Sequence, residues 1–208
     1  MRELQENWIE SLGSAPFSCE VLKDFLRPYE AQVKKIHFLV KEGKILRLKR
    51  GLYCVNPKLS GRSVDFMAIA NCLYDAPSYV SLETALAHYE LIPEAVMGIS
   101  SVTKGRTKQF VTPIGWFMYQ TIPENLFGIG VRTEGGHLIA SPEKALCDYL
   151  YTRPNLRITS PKTLASYLEE DVRFDFDEFK DYDRSVFSAF AASGHKTGLF
   201  KAAERLFA

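Results

Sequence analysis

The sequence predicts an α+β protein, because helical and strand-like hydrophobic patterns occupy separate stretches of its 208 residues. Three helical patterns are followed by two short β-rich runs around a glycine, and a longer stretch then mixes helices with strands. The composition, 46% hydrophobic and 25% charged, is that of a globular chain with enough residues for one large or two small domains.

The sequence offers no sign of a membrane segment or of a cofactor site. It has no stretch of about 18 consecutive apolar residues, and its first residues lack the apolar core of a secretory signal. We therefore expect a soluble, cytoplasmic protein without cofactor or metal. The four cysteines are scattered without C-x-x-C spacing, so we expect small buried apolar side chains rather than zinc ligands or disulfides. They are Cys19, Cys54, Cys72 and Cys147.

Positive charge is concentrated in one part of the chain. Residues 27–58 contain nine Lys and Arg against two Glu, which makes this segment +7, whereas the whole chain is only +1 and the remainder is −6. Such asymmetry predicts one part that meets a polyanion and another part with a different task.

Three helices are predicted before the basic hairpin. The first carries Leu4, Trp8, Ile9 and Leu12 and ends at Gly13. The second covers 19–26, with Ser18 as N-cap, an apolar face of Val21, Leu22 and Phe25, and an end at Arg27-Pro28.

The third predicted helix, over 30–42, separates apolar from basic residues and ends at Gly43. Val33, Ile36 and Val40 share one side, with His37 expected to flank the core rather than to read a base. The opposite side carries Lys34, Lys35, Phe38 and Lys41. An aromatic residue there is unexpected, and Phe38 either packs under the following hairpin or contacts a thymine methyl group.

Two β-rich runs, 44–49 and 52–55, surround Arg50-Gly51 and predict a hairpin. Helix, helix, helix and hairpin in this order predict a winged helix-turn-helix domain over 1–58. The third helix then enters a DNA major groove, and the hairpin brings its cations to neighbouring phosphates. The predicted contacts to double-stranded DNA are Lys34, Lys35, Lys41, Arg47, Lys49 and Arg50.

A connector at 55–61 leads into a predicted second domain over 62–208. Helices are expected over 63–74 (with Val64, Met67, Ala68 and Cys72 on the apolar face), 81–89, 141–151, 161–169 and 177–182, and from 197 onward. Strands are expected at 79–80, 99–102, 114–119, 130–132 and 137–139. A basic loop with Lys104, Arg106 and Lys108 lies between two of the strands and is a possible secondary contact to DNA.

Five sequence motifs occur in an order and spacing that resemble the AbiEi antitoxin family of type IV toxin–antitoxin systems. They are RLKRGLY at 47–53, YVSLETAL at 79–86, IPE at 92–94, SSVT at 100–103 and SPEKALCDYLY at 141–151. The resemblance implies a winged-helix domain that represses its own operon and a C-terminal domain that neutralises a nucleotidyltransferase-type toxin. On this interpretation, the basic loop at 104–108 faces either DNA or the toxin.

Enzymatic motifs are absent from the sequence. The four histidines lack metal-ligand spacing, and the chain has neither a dinucleotide fingerprint nor a P-loop. Glu143 is explained by the helix dipole and Asp148 by an i,i+4 pair with Lys144. We expect no enzyme, although three functions stay open: an antitoxin and autorepressor, a stand-alone regulator whose second domain senses a ligand or dimerises, and an enzyme with an appended DNA-binding domain.

Overall fold

The computed structural model describes residue 9 and residues 11–61, 63–93 and 98–208. These residues form ten helices, one π-helical turn and nine strands in two sheets, so the predicted α+β class is confirmed. The chain divides into two compact units, one comprising Met1–Asp75 with Val111–Gly115 and the other Ala76–Phe110 with Trp116–Ala208. Within the described residues, no helix has the length and apolar character needed to cross a bilayer.

The first unit contains a three-stranded antiparallel sheet and two helices packed on it. Its elements are β1 (Phe17–Ser18), α1 (Cys19–Phe25), α2 (Gln32–Lys41), β2 (Ile45–Lys49), β3 (Leu52–Val55), α3 (Pro57–Ser60) and α4 (Phe66–Leu73). The strand order is β1-β3-β2, with a bulge between Arg47 and Lys49. The hairpin is confirmed, whereas β1 was not predicted, because a two-residue strand has too little alternation to be recognised.

The first-unit core is made by one face of each helix and one face of the sheet. The buried cluster consists of Phe17, Leu22, Leu26, Ile36, Leu39, Ile45, Tyr53 and Val55. The predicted apolar faces are partly wrong, since Val21 (38%), Phe25 (39%) and Val33 (58%) are exposed. Both helices have apolar residues on more than one side, so only one side of each can be buried. The residues that pack in the core are Leu22 with Leu26 and Ile36 with Leu39.

Polar side chains set the ends of these helices. The Ser18 hydroxyl accepts a hydrogen bond from the Val21 amide at 3.3 Å, as expected of an N-cap. The predicted connector is not all loop, because Asn56 caps α3 by accepting from the Lys58 amide at 3.1 Å. Asp65 caps α4 in the same way at Ala68, so this helix starts at Phe66 rather than at residue 63.

Two sequence predictions about this part of the chain need comment. Helix α4 buries Ile69, Ala70 and Leu73, and Cys72 is exposed, so the predicted apolar face was wrong. All four cysteines are free, and the expectation of burial is confirmed for Cys54 and Cys147 only. The predicted first helix, with Leu4 and Trp8, lies largely outside the described residues, as does Glu94 of one motif.

The six-stranded mixed sheet has the order β6-β7-β5-β4-β9-β8. Its strands are β4 (Ser78–Val80), β5 (Ile99–Thr103), β6 (Lys108–Thr112), β7 (Gly115–Thr121), β8 (Val131–Glu134) and β9 (His137–Ala140). Strands β5 and β7 are parallel, and so are β4 and β9. Gly135 and Gly136 close the predicted β8–β9 hairpin, both with positive φ, which glycine adopts without strain.

The helices of this part of the chain are α5 (Leu82–His88), α6 (Glu124–Phe127), α7 (Pro142–Thr152), α8 (Pro161–Ser166), α9 (Arg184–Ala192) and α10 (Thr197–Leu206). Helix α8 continues into the π-helical turn Tyr167–Asp171. The predicted helix at 177–182 is wrong. Asp175 caps a turn there by accepting from the Asp177 and Glu178 amides, and the true helix, α9, starts at Arg184.

A fully buried ion pair lies on α7, at the centre of the second unit. Lys144 Nζ is 2.7 Å from Asp148 Oδ1, and neither side chain is exposed. The hydroxyls of Tyr79 and Ser81 donate to Asp148 Oδ2 at 2.9 and 2.8 Å, and Lys144 also donates to the Leu126 carbonyl at 2.9 Å. Burial raises the pKa of Asp148, while Lys144 and the hydrogen bonds oppose that rise. The predicted i,i+4 pair is confirmed, at a depth that spacing does not indicate.

Replacing Lys144 with Met is expected to lower the free energy of unfolding by about 3–5 kcal/mol, because Asp148 is then buried without its cation. Urea denaturation measures the loss. The matched control is Lys162→Met, which removes an exposed lysine from α8 and should change stability by less than about 0.5 kcal/mol. The double variant Lys144→Met/Asp148→Leu should lose less than the sum of the two single variants. Equal stability of the Lys144→Met and Lys162→Met variants would contradict this assignment.

Candidate nucleic-acid interface

Helix α2 presents an exposed face that contains cations and no carboxylate. Lys34, His37, Phe38 and Lys41 lie on this face because residues three, four and seven apart share one side of a helix. The opposite side buries Ile36 and Leu39 against the sheet. The nearest acid along the chain after α2, Glu42, is 3.8 Å from Lys44. The exposed face is therefore positive, and its cations are not neutralised by α2 itself.

The predicted DNA-binding cations differ in how strongly the fold holds them. Lys35 is half-buried, with Nζ 5.1 Å from the centre of the Tyr29 ring and 5.2 Å from that of Phe38. Lys49 forms an ion pair with Asp75. Among the described residues, Lys34, Lys41 and Arg50 have no carboxylate partner and are exposed. The structure thus separates the six predicted contacts into two that are held internally and four that are more accessible.

Arg47 lies on the helix side of the hairpin. In the antiparallel register it is paired with Tyr53, which is paired in turn with Phe17 of β1. Residues two apart on a strand share a face, so Arg47 points to the same side as the buried Ile45. Its Nε donates to the Lys49 carbonyl at 3.4 Å, and the side chain is exposed beyond the edge of the core.

A cavity of about 290 Å³ lies between α2 and the hairpin and is lined by His37, Val40, Lys41, Arg47 and Tyr53. Among the described residues, the His37 ring, the Lys41 ammonium group and the Tyr53 hydroxyl make no hydrogen bond. Burial raises the pKa of Tyr53, and the nearby Arg47 guanidinium opposes that rise. The cavity lining thus combines one arginine, one lysine and two further polar groups without a carboxylate.

Two expectations about α2 are corrected by the structure. His37 is exposed at the cavity and does not flank the core. Phe38 is 46% exposed as a residue, so it is not buried beneath the hairpin. Sequence reasoning also missed Tyr53 as a cavity residue. Its place across the predicted hairpin from Arg47 was the available signal, and the structure confirms that the two residues pair.

The basic loop of the second unit is partly neutralised. Lys104 Nζ is 2.8 Å from Glu124 Oε1, and Lys108, the first residue of β6, lies 4.5 Å from the centre of the Phe110 ring. Arg106 is exposed in the turn between β5 and β6. Two of the three cations of this loop, Lys104 and Lys108, therefore contact neighbours in the same unit.

The two carboxylates of α7, Glu143 and Asp148, do not form an exposed acid site. Glu143 is buried with Arg132 3.8 Å away, and Asp148 is held by Lys144 and two hydroxyls. Among the described residues, no group of three or more His, Cys, Asp and Glu side chains is arranged to hold a metal ion.

No protein-family model matches the chain, and a search of curated proteins found no match either.

Proposed function

We propose that the protein is a DNA-binding antitoxin, a cytoplasmic regulator that represses its own operon and counteracts a nucleotidyltransferase-type toxin. Its first unit binds duplex DNA as a winged helix-turn-helix, with α2 in the major groove and the β2–β3 hairpin as the wing. The observation that carries the DNA-binding part is the exposed, carboxylate-free face of α2 beside the arginines of the hairpin.

The dimensions of α2 support this proposal. A helix of ten residues is about 15 Å long and, with its side chains, about 10–12 Å wide, which matches the roughly 12 Å width of the DNA major groove. Lys34 and Lys41 are seven residues apart, which places both on the groove side. The hairpin follows α2 after a short turn and carries Arg47 and Arg50 to the phosphates that border the groove.

The antitoxin part of the proposal rests on the resemblance to the AbiEi family. Three of its motifs, at 79–86, 100–103 and 141–151, fall on β4, α5, β5 and α7. Their polar residues meet in the interior: Tyr79 and Ser81 donate to Asp148, and Thr84 Oγ1 accepts from the Ser100 amide at 2.8 Å. The motifs thus belong to one packed centre, which supports a shared fold for the second unit. No enzymatic activity is included in the proposal.

Replacing Lys34 and Lys41 together with Ala is expected to weaken binding to a duplex selected by the wild-type protein by tenfold or more, because one good base contact is worth about 1–3 kcal/mol. Fluorescence anisotropy with a labelled duplex measures this change. The matched control, Lys162→Ala/Lys201→Ala, removes the same charge from exposed positions of α8 and α10. Equal weakening in the two double variants would mean that net charge, rather than α2, determines binding.

Arg50→Ala and Lys49→Ala should differ in their salt dependence although the residues are adjacent. Loss of one phosphate contact lowers the slope of log Kd against log salt by about 0.9, and we expect this for Arg50, which is exposed and unpaired within the described residues. Lys49 is held by Asp75, so its removal should leave the slope nearly unchanged. A titration of binding between about 50 and 200 mM salt, the range over which phosphate contacts change affinity strongly, measures the two slopes. The reverse order would assign the wing contact to Lys49.

Repression and neutralisation should be separable in the full-length chain. The variant Lys34→Ala/Lys41→Ala/Arg50→Ala should lose repression of a reporter placed behind the promoter of its operon, while it still rescues growth when co-expressed with the neighbouring toxin gene. The charge-matched control carries three alanines at Lys162, Lys201 and Arg205. Failure of the DNA-binding variant to rescue, with its stability unchanged, would tie neutralisation to the first unit. An operon without a nucleotidyltransferase-like gene would leave a stand-alone regulator as the function.

A further inference from the structure

The cavity between α2 and the hairpin contains polar groups that the fold itself does not use. The His37 ring, the Lys41 ammonium group and the Tyr53 hydroxyl make no hydrogen bond within the described residues, and Arg47 donates from Nε to the Lys49 carbonyl. His37, Lys41 and Arg47 are exposed to solvent, so the donors that line the cavity are available to an acceptor that enters it. The lining contains two cations and no carboxylate, so it favours an anion as that acceptor.

We propose that this cavity, defined by His37, Lys41, Arg47 and Tyr53, binds one phosphodiester group of the DNA backbone. The inference rests on the proposed DNA binding and adds His37 and Tyr53 to the contacts that the sequence predicted. Arg47 is suited to two oxygens of one phosphate because its guanidinium group is planar and forked. Lys41 supplies a point charge, and His37 and Tyr53 add directed hydrogen bonds.

The shape of the lining favours a backbone phosphate over other anions. Val40 provides an apolar wall beside the polar groups, which matches a phosphate flanked by deoxyribose carbons. The cavity volume, about 290 Å³, lies at the lower limit of small-ligand pockets, which span about 300–1,000 Å³, so it suits one phosphate with its sugar edges better than a whole nucleotide cofactor. Because it adjoins the exposed face of α2, a phosphate bound here belongs to the strand that borders the same major groove.

Duplex DNA is favoured over duplex RNA for a geometric reason. The major groove of A-form RNA is deep and narrow and does not admit a protein helix, whereas that of B-DNA does. If α2 is inserted in the groove, the cavity fixes the position of the backbone relative to the helix. A phosphate held there contributes affinity and register, while base contacts from α2 contribute specificity.

The test uses the full-length protein and a 20-base-pair duplex, of about two helical turns, selected by the wild-type chain from a random library. His37→Ala and Tyr53→Phe should each weaken binding about tenfold, the usual worth of a hydrogen bond to a charged group. His195→Ala, at an exposed histidine of the second unit, is the matched control and should bind as the wild type does. Tyr53→Phe retains the ring that packs in the core, and thermal melting of each variant verifies that it is folded.

A scan with methylphosphonate substitutions then locates the phosphate. One neutral linkage should weaken binding by the wild-type protein sharply, and His37→Ala should no longer respond to that linkage, while Lys34→Ala should still respond. Wild-type affinity in both His37→Ala and Tyr53→Phe, with DNA binding otherwise intact, would overturn the phosphate site alone. A wild-type chain that binds no duplex would overturn the proposed function together with this inference, and tighter binding of the corresponding RNA duplex would overturn the assignment to DNA.

Discussion

The buried pair of Lys144 and Asp148 is the constraint on which the second unit depends. Two charges removed from water are tolerated only where each is paired and its remaining hydrogen-bonding capacity is satisfied. Here Asp148 accepts from Tyr79, Ser81 and Lys144, and Lys144 also reaches the Leu126 carbonyl. These partners come from β4, the start of α5, α6 and α7. The network therefore fixes the position of α7 against the sheet more specifically than apolar contacts alone do.

This network explains why Ser81 is not a conventional helix cap. The residue precedes α5, where a serine side chain normally accepts from a backbone amide of the first turn. Its hydroxyl instead donates to Asp148, and the side chain makes no capping bond. By contrast, Ser141 caps α7 by accepting from the Lys144 amide at 3.4 Å. Ser81 thus makes a hydrogen bond to a residue far along the chain, whereas Ser141 makes one within its own helix.

The first unit is stabilised by a small apolar core and not by a buried ion pair of the described residues. Its sheet is small, and its core uses only part of the apolar residues that α1 and α2 contain, so Val33 and Phe38 are left on or near the cationic face of α2. Exposed apolar side chains beside lysines match the surface of DNA bases, where thymine methyl groups alternate with hydrogen-bonding edges. The exposure of Phe38 argues against packing under the hairpin, and contact with a thymine methyl group stays a prediction of the proposed DNA binding.

The motifs that carry the family resemblance have two different structural roles. RLKRGLY at 47–53 forms the hairpin, with Leu48 and Tyr53 buried and its arginines exposed, whereas the motifs around Tyr79 and Asp148 are interior. A buried motif constrains the fold and does not by itself identify a surface that meets a toxin. The resemblance therefore supports the proposed architecture more directly than the proposed contact with a toxin.

Local signals in the sequence determined most of the secondary structure and the charge of the candidate site. Ser18, Ser141, Gly43 and the Gly135-Gly136 pair set the ends of elements through their own hydrogen bonds or backbone conformations, which need no distant partner. Tertiary structure decided which apolar face of each helix is buried, the pairing of β1 with β3, and the start of α9, because each of these depends on packing against residues far along the chain. The cavity of His37, Lys41, Arg47 and Tyr53 was decided in the same way. Its residues lie on three elements, and the pairing of the two strands together with the packing of α2 brings them to one place.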